Sequence, residues 1–316
     1  MTSVAKVLTS EAPVVLKKLT GLICVNKPAG KSMRRIREIV ATKICTELNE
    51  LQVRPLKTHV SIVGDTSKEL TVNVAPSFAD NPNVIGPRYQ QTELYVSYGN
   101  VLGLRSSGVV VLGINGAYKQ TRLLRKYQLL RTYLLKGKLG ECTDNNFADG
   151  RVLAQARYDF ITRGAFDKVT TIMQAQNQKH MFNLCAVDGR SQTAYEMAAQ
   201  GLLRPLERRS PLIYSIKCID FTPPEFTVEV HCINETEEFL SEVIINLGQK
   251  LRTISTCLEI KCIRFSHFGL DDALLMKHWT LQNLLDSTEK CNEKLQKIVN
   301  SSSHLLVNVN ETEDEN

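Results

Sequence analysis

The chain has 316 residues, 43% hydrophobic and 23% charged, with 17 Gly and 10 Pro scattered along it. That composition buries a substantial core, argues against a disordered or low-complexity protein, and contains no apolar run near the roughly 20 residues of a membrane-spanning helix. The formal charge is +6; without the terminal NETEDEN and its four acids, 39 basic groups face 29 acidic ones, a net of +10, which suits a polyanionic partner as well as solubility.

The nine cysteines are odd in number and form no C-x-x-C pair, so they read as buried free thiols of a reducing compartment rather than disulfides or zinc ligands. Residues 1–20 form an expected flexible N-terminus with three Lys and no apolar core for a secretory signal, which leaves room for a mitochondrial address. LICV (22–25) is the first strand, closed by the turn NKPAGKS. Ser32 then caps a helix that carries Met33, Ile36, Val40, Ile44 and Leu48 on one face, with Arg34, Arg35 and Arg37 near its start.

Residues 50–92 read as short strands and a Pro- and Asn-rich loop. VVVL (109–112) is an inner strand buried on both faces. Tyr118–Arg131 has Leu123, Leu124, Tyr127 and Leu130 at helical spacing with Lys119, Arg122, Arg125, Lys126 and Arg131 between them, an amphipathic helix with a basic outer side. TYLLKGKLG (132–140) is a strand and turn. Helices are expected over Ala165–Gln176, with Phe166, Val169, Ile172 and Met173 inward, and over about Ala194–Leu202. LIYSIKCIDF and FTVEVHCI make a hairpin through Pro223 and Pro224. A helix near 236–250, a strand near 256–264 and last helices over about 271–299 complete the chain.

Five segments in this order resemble the TruB family of pseudouridine synthases, in particular its mitochondrial branch: GLICVNKPAGKS, SSGVVVLG, RTYLLKGKLGECTD, TAYEMAAQGLLRP, and VHCINET with LDDALL. The resemblance covers about residues 21–285. It implies an α+β fold with a mixed, largely antiparallel sheet flanked by helices and an RNA groove across it. The chain is too short for the C-terminal PUA domain of bacterial members, so residues 286–316 are expected to be a C-terminal helix and an acidic tail. The implied chemistry acts on uridine already in RNA: the base is flipped out, its bond to the ribose is broken, and the ring is rejoined through C5. Flipping needs a surface that replaces lost stacking, and cleavage needs a carboxylate beside the ribose.

In the family the loop before the inner strand carries Leu-Asp ahead of a small residue and Gly. Here Leu102 falls on the Leu and Gly103 on the Asp, and Leu104, Arg105, Ser106 and Ser107 offer no acid. Tyr133 falls on the family's base-stacking tyrosine. Counting back from Gly248 puts Phe239 on an aromatic and Ser241 on the arginine that pairs with the acid. A buried arginine without its acid costs several kcal/mol, so the two losses agree. The resemblance therefore implies an RNA-binding protein of mitochondrial RNA metabolism with impaired or absent isomerase activity and no catalytic residue assigned. Its expected RNA contacts are Tyr133, Phe239, Arg34, Arg35, Arg131 and Lys136, with Arg204, Arg208 and Arg209 along the groove.

No metal or small-molecule cofactor is expected. Single-stranded or looped uridine-containing transcripts are the expected partners, together with mitochondrial RNA-processing proteins. Two alternatives stay open: an active isomerase with a carboxylate displaced to Glu93, Asp144 or Asp149, and a scaffold that contacts no RNA.

Overall fold

A computed structural model describes residues 11–53, 58–64, 67, 70–77, 82–185, 187–199 and 210–306. The first ten residues, Arg204, Arg208, Arg209 and the tail from 307 lie outside the described residues. A short helix, α1 (Ala12–Lys18), leads into β1 (Gly21–Lys27), and α2 (Met33–Glu50) follows. α2 starts where its sequence predicts, with the Ser32 hydroxyl accepting from the Arg35 N–H at 3.2 Å and so satisfying one orphan donor of the first turn. Met33, Ile36, Val40, Ile44 and Leu48 are all buried; side chains of this size contribute about 1.5–3 kcal/mol each when taken from water.

The next segment forms a separate hairpin, β2 (Thr58–Val63) with β3 (Thr71–Pro76), and a one-turn helix, α3 (Pro82–Ile85). β4 (Val96–Tyr98), β5 (Ser106–Ile114), α4 (Tyr118–Lys126) and β6 (Arg131–Leu139) come next. The basic helix is shorter than its periodicity predicts. Gln128 takes a left-handed φ of 46°, which ends the helix, and Arg131 joins a strand, paired with Cys232 on one side and Phe265 on the other. Sheet pairing on two flanks outweighs helical spacing there.

A small hairpin, β7 (Glu141–Thr143) with β8 (Val152–Gln155), precedes α5 (Arg163–Leu184) and α6 (Gln192–Ala199). α5 runs past the predicted Gln176 because Met181 near its end packs with Leu212 and Ile233. Ile172, expected inward, is exposed, while Phe166 and Met173 are buried. β9 (Leu212–Thr222) and β10 (Glu225–Ile233) form the predicted hairpin; α7 (Glu237–Lys250), β11 (Ser255–Phe265), β12 (Phe268–Gly269) and α8 (Leu281–Leu306) follow.

The main sheet runs β1-β5-β11-β6-β10-β9, with β4 added to β5 and β12 to β11. Among the described strands of this sheet only β5 and β11 pair in parallel and every other strand pair is antiparallel, the mixed α+β arrangement expected. Val109 to Leu112 are wholly buried, as an inner strand requires. α7 lies against β6 and β11 closely enough that a Cβ on Gly137 would meet Ile244 and the Phe226 ring. On the same side Phe166 of α5 packs on Phe221 and Phe226 at ring centroid distances of 5.2 and 4.9 Å. Among the described residues, no helix is long and apolar enough to cross a membrane.

Candidate functional site

The loop of residues 101–105 is held at both ends. Asn100, fully buried, donates to the Val109 carbonyl at 3.0 Å and accepts from the Val111 N–H at 2.8 Å, so β5 fixes the loop's entry. At its exit the buried Lys27 ammonium donates to the carbonyls of Ser106 (2.6 Å), Pro28 (3.2 Å) and Leu104 (3.3 Å). The Gly30 N–H also donates to Leu104, at 2.8 Å, from a left-handed turn with φ +77° that glycine adopts without strain. The KPAG motif is thus the clamp on this loop. Burial lowers the Lys27 pKa to about 8, against the pull of the nearby Glu237 charge. Gly108, at φ +112°, is required for the parallel pairing, since a Cβ there would run into the Cys262 backbone.

A cavity of about 530 Å³ opens beside the loop. Its walls come from Asn100 to Gly103 and Ser106, from Arg125, from Arg131 and Tyr133 at the start of β6, and from Asn234 to Glu238 with Leu240 at the entry to α7. The sequence predicts no acid here, and the structure corrects that. The Glu237 carboxylate occupies the space that a Cβ on Gly103 would take. Glu237 Oε2 accepts from both the N–H and the hydroxyl of Ser106, each at 2.7 Å. Glu237 opens α7 directly after its N-cap Thr236, where the free N–H groups of the first turn favour a negative charge.

None of the acids expected as displaced carboxylates lines this cavity. Glu93 pairs with Arg88 at 3.7 Å beside a separate groove, Asp144 accepts from the Arg151 N–H, and Asp149 pairs with Arg105 at 3.1 Å. Hydrogen bonds from Arg105 and Asn145 hold the Asp149 carboxyl below its usual range.

A second acid, Glu235, exposes 1% of its side chain. Its Oε1 accepts from Arg131 at 2.5 Å and from the Tyr133 hydroxyl at 2.6 Å. Burial pulls the Arg131 pKa down, but the Glu235 charge and Tyr133 outweigh it and the net direction is upward. Burial raises Tyr133 well above its ordinary value, so its phenol stays neutral.

Tyr133 therefore does line the cavity, but as a packed strand residue 1% exposed with its hydroxyl engaged, not as an open stacking platform. Arg131 also lines it, its charge matched by Glu235. The other expected contacts are not in the cavity wall. Phe239 packs against the hydrophobic core, since α7 turns that face inward. Lys136 stands three residues beyond Tyr133 on β6, hence on the opposite sheet face, and pairs with Glu225 at 2.5 Å. Arg34 and Arg35 lie exposed on the first turn of α2 and both bond Glu38. Ser241 is buried at 2% exposure, its hydroxyl donating to the Glu238 carbonyl at 2.8 Å. Asn100, Glu235 and Glu237 escaped the sequence reading. For the two acids the signal was the NETEE run, which begins inside the quoted VHCINET segment and carries Glu237 just beyond it, and which spacing alone did not connect to Gly103.

The chain is similar in sequence to known proteins over most of its length. The TruB family pseudouridylate synthase N-terminal domain matches residues 91–237, from before the loop to Glu237 itself. The mitochondrial pseudouridylate synthase TRUB2 of Xenopus tropicalis is 33% identical over 294 residues, 91% of this chain and 90% of that protein. The mitochondrial TRUB2 of Homo sapiens is 34% identical, over 86% of this chain and 84% of that one. Pseudouridylate synthase TRUB1 of Mus musculus is 28% identical over 73% of this chain and 69% of that one. A chain in the crystal structure of the archaeal box H/ACA sRNP Nop10-Cbf5 complex superposes with a TM-score of 0.45 at 13% identity, spanning 90% of this chain and 60% of that chain. Identity of one residue in three over nine-tenths of the sequence, together with a domain match that ends on the cavity's own carboxylates, means that the chain belongs to the TruB family of RNA-modifying pseudouridine synthases, on the branch whose named members are mitochondrial.

Proposed function

We propose that the protein binds uridine-containing RNA in mitochondria, receives an unstacked nucleotide in this cavity, and has lost most or all of its family's isomerase power. The observation that carries the reading is Gly103 with Glu237 against it. The Glu237 carboxylate stops where an aspartate at 103 would have its Cβ, two bonds short of that aspartate's oxygens, and Ser106 engages it twice. A misplacement of about 1 Å can cost about 10²-fold, and an acid–base group contributes roughly 10²- to 10⁴-fold. Ser241, which the count from Gly248 sets on the family's arginine, is buried at 2% exposure and so agrees with this reading.

Binding has independent support. Lys119, Arg122, Arg125 and Lys126 are exposed on α4, and Arg125 borders the cavity, so phosphates and an inserted base share one approach. The mitochondrial relatives support the compartment, and a partner among RNA-processing proteins there fits it.

The test incubates purified protein with uridine-containing transcripts, digests the RNA and separates the nucleosides. The expected result is salt-sensitive RNA binding without pseudouridine. A second reading draws on the same carboxylate: Glu237 as the catalytic acid of an active isomerase. Pseudouridine made by the wild type and lost in Glu237→Gln, with RNA binding kept, would establish that reading in place of the first. RNA binding absent even at low salt would leave the scaffold alternative.

A further inference from the structure

Two exposed tyrosines meet outside the cavity, at the far end of the helix that leads to it. Tyr95 and Tyr118 are 55% and 45% exposed, and their rings touch edge to face at a centroid distance of 6.3 Å and an interplanar angle of 67°. That contact covers one face of one ring and leaves both faces of the other open. Neither ring belongs to the described core, so packing does not account for the pair. The backbone holds it in place: the Tyr95 carbonyl accepts from the Asn115 N–H at 2.7 Å, Val96 pairs with Ile114 at the end of β5, and Tyr118 opens α4 one turn later.

α4 gives the pair a direction. Positions i, i+4 and i+7 of a helix share a face, so Tyr118, Arg122 and Arg125 form one stripe, and its far end, Arg125, lines the cavity. Thr121 and Leu124 are buried on the other side of the helix, which turns the stripe to solvent. Lys119 and Lys126, also exposed, flank it. Cations alone would take any polyanion. Cations that run from open aromatic rings to a cavity take a polyanion whose charges alternate with flat rings.

We infer that Tyr95 and Tyr118 form a stacking platform for a second nucleotide of single-stranded RNA, on the strand that reaches the cavity along α4. This rests on the RNA-binding reading above and adds to it a contact outside the cavity. Seven residues of helix separate Tyr118 from Arg125, about 10 Å. At about 3.4 Å per stacked nucleotide, the platform takes a base about three positions from the one in the cavity. Every base has a flat face, so the platform supplies affinity and leaves sequence preference to other contacts.

The probes are single-stranded oligouridylate and inorganic polyphosphate, which carries the charge without the bases. The double variant Tyr95→Ala, Tyr118→Ala is expected to lose about five- to a hundred-fold in affinity for oligouridylate, the range for one stacked base. Its salt slope stays that of the wild type, because stacking releases no counterions, and so does its affinity for polyphosphate. The double variant Tyr95→Phe, Tyr118→Phe keeps wild-type affinity for both, since ring faces rather than hydroxyls make the contact. Tyr118→Trp gives a direct signal. The chain's single tryptophan, Trp279, is fully buried, so emission quenched by oligouridylate and not by polyphosphate reports a base on the platform. Unchanged affinity of the alanine variant for oligouridylate, an equal loss for polyphosphate, or a phenylalanine variant as weak as the alanine one overturns the inference and leaves RNA binding intact. Failure of the wild type to bind oligouridylate at low salt overturns the RNA-binding reading itself. Should the alanine variant not fold, the tryptophan decides: emission unmoved by bound oligouridylate overturns the platform.

Discussion

At the scale of single residues, Gly103 and Glu237 are coupled through one close contact. Gly103→Ala puts a methyl group into the carboxylate and is expected to destabilise by about 1–3 kcal/mol, as overpacking does. In a Glu237→Gly background, which removes the Glu237 Cβ at 2.6 Å together with the carboxylate, the same change should cost much less, and urea unfolding of the four proteins in the cycle measures that coupling. Lys27 gives a pH signature. Its folded pKa, about 8, lies below the ordinary 10.5. Between those values the unfolded chain still holds the proton that the folded one has released, so stability contributed by this residue rises with pH across that window. Urea unfolding of wild type against Lys27→Met on either side of the window should show wild type gaining on the variant at the alkaline side. That the loop of residues 101–105 carries no acid was legible from its own residues. The Glu237 carboxylate beside it was not, because Ser106 and Glu237 are 131 residues apart and nothing local to either announces the other.

At the scale of elements, local chemistry was enough where a helix begins on a cap and buries one stripe. Ser32 and the Met33–Leu48 face of α2 came out as spacing predicts. Local chemistry failed where two elements compete for the same residues. Leu130 and Arg131 continue the helical pattern of α4, yet β10 and β11 claim Arg131 for the sheet. That capture brings Arg131 to Glu235 and so builds the cavity wall. The exposed cations that remain on α4 form its basic side. Reversing Arg122 and Lys126 to Glu should weaken binding to all RNA sequences alike and flatten the salt dependence of the binding constant, which filter binding over a salt series reads directly.

At the scale of the whole molecule, the sheet joins distant segments through contacts on which the site depends. Trp279 is fully buried and its indole N–H donates to the Leu274 carbonyl at 2.7 Å. Leu274 in turn exchanges backbone hydrogen bonds with Cys24 and Asn26 on β1, the strand that ends at Lys27. Trp279→Ala is expected to cost about 3–5 kcal/mol in urea unfolding, as for other large core truncations. The sequence by itself determined the family, the α+β class, most element positions and the absence of an acid from the loop before β5, since these rest on periodicity, caps and motif order, all properties of neighbours along the chain. Only the tertiary structure decided that a carboxylate from α7 lies against Gly103, that Arg131 and Tyr133 converge on Glu235, and that Phe239 and Lys136 turn away. Those outcomes depend on strand register and helix rotation, through which residues a hundred positions apart compete for the same few ångströms.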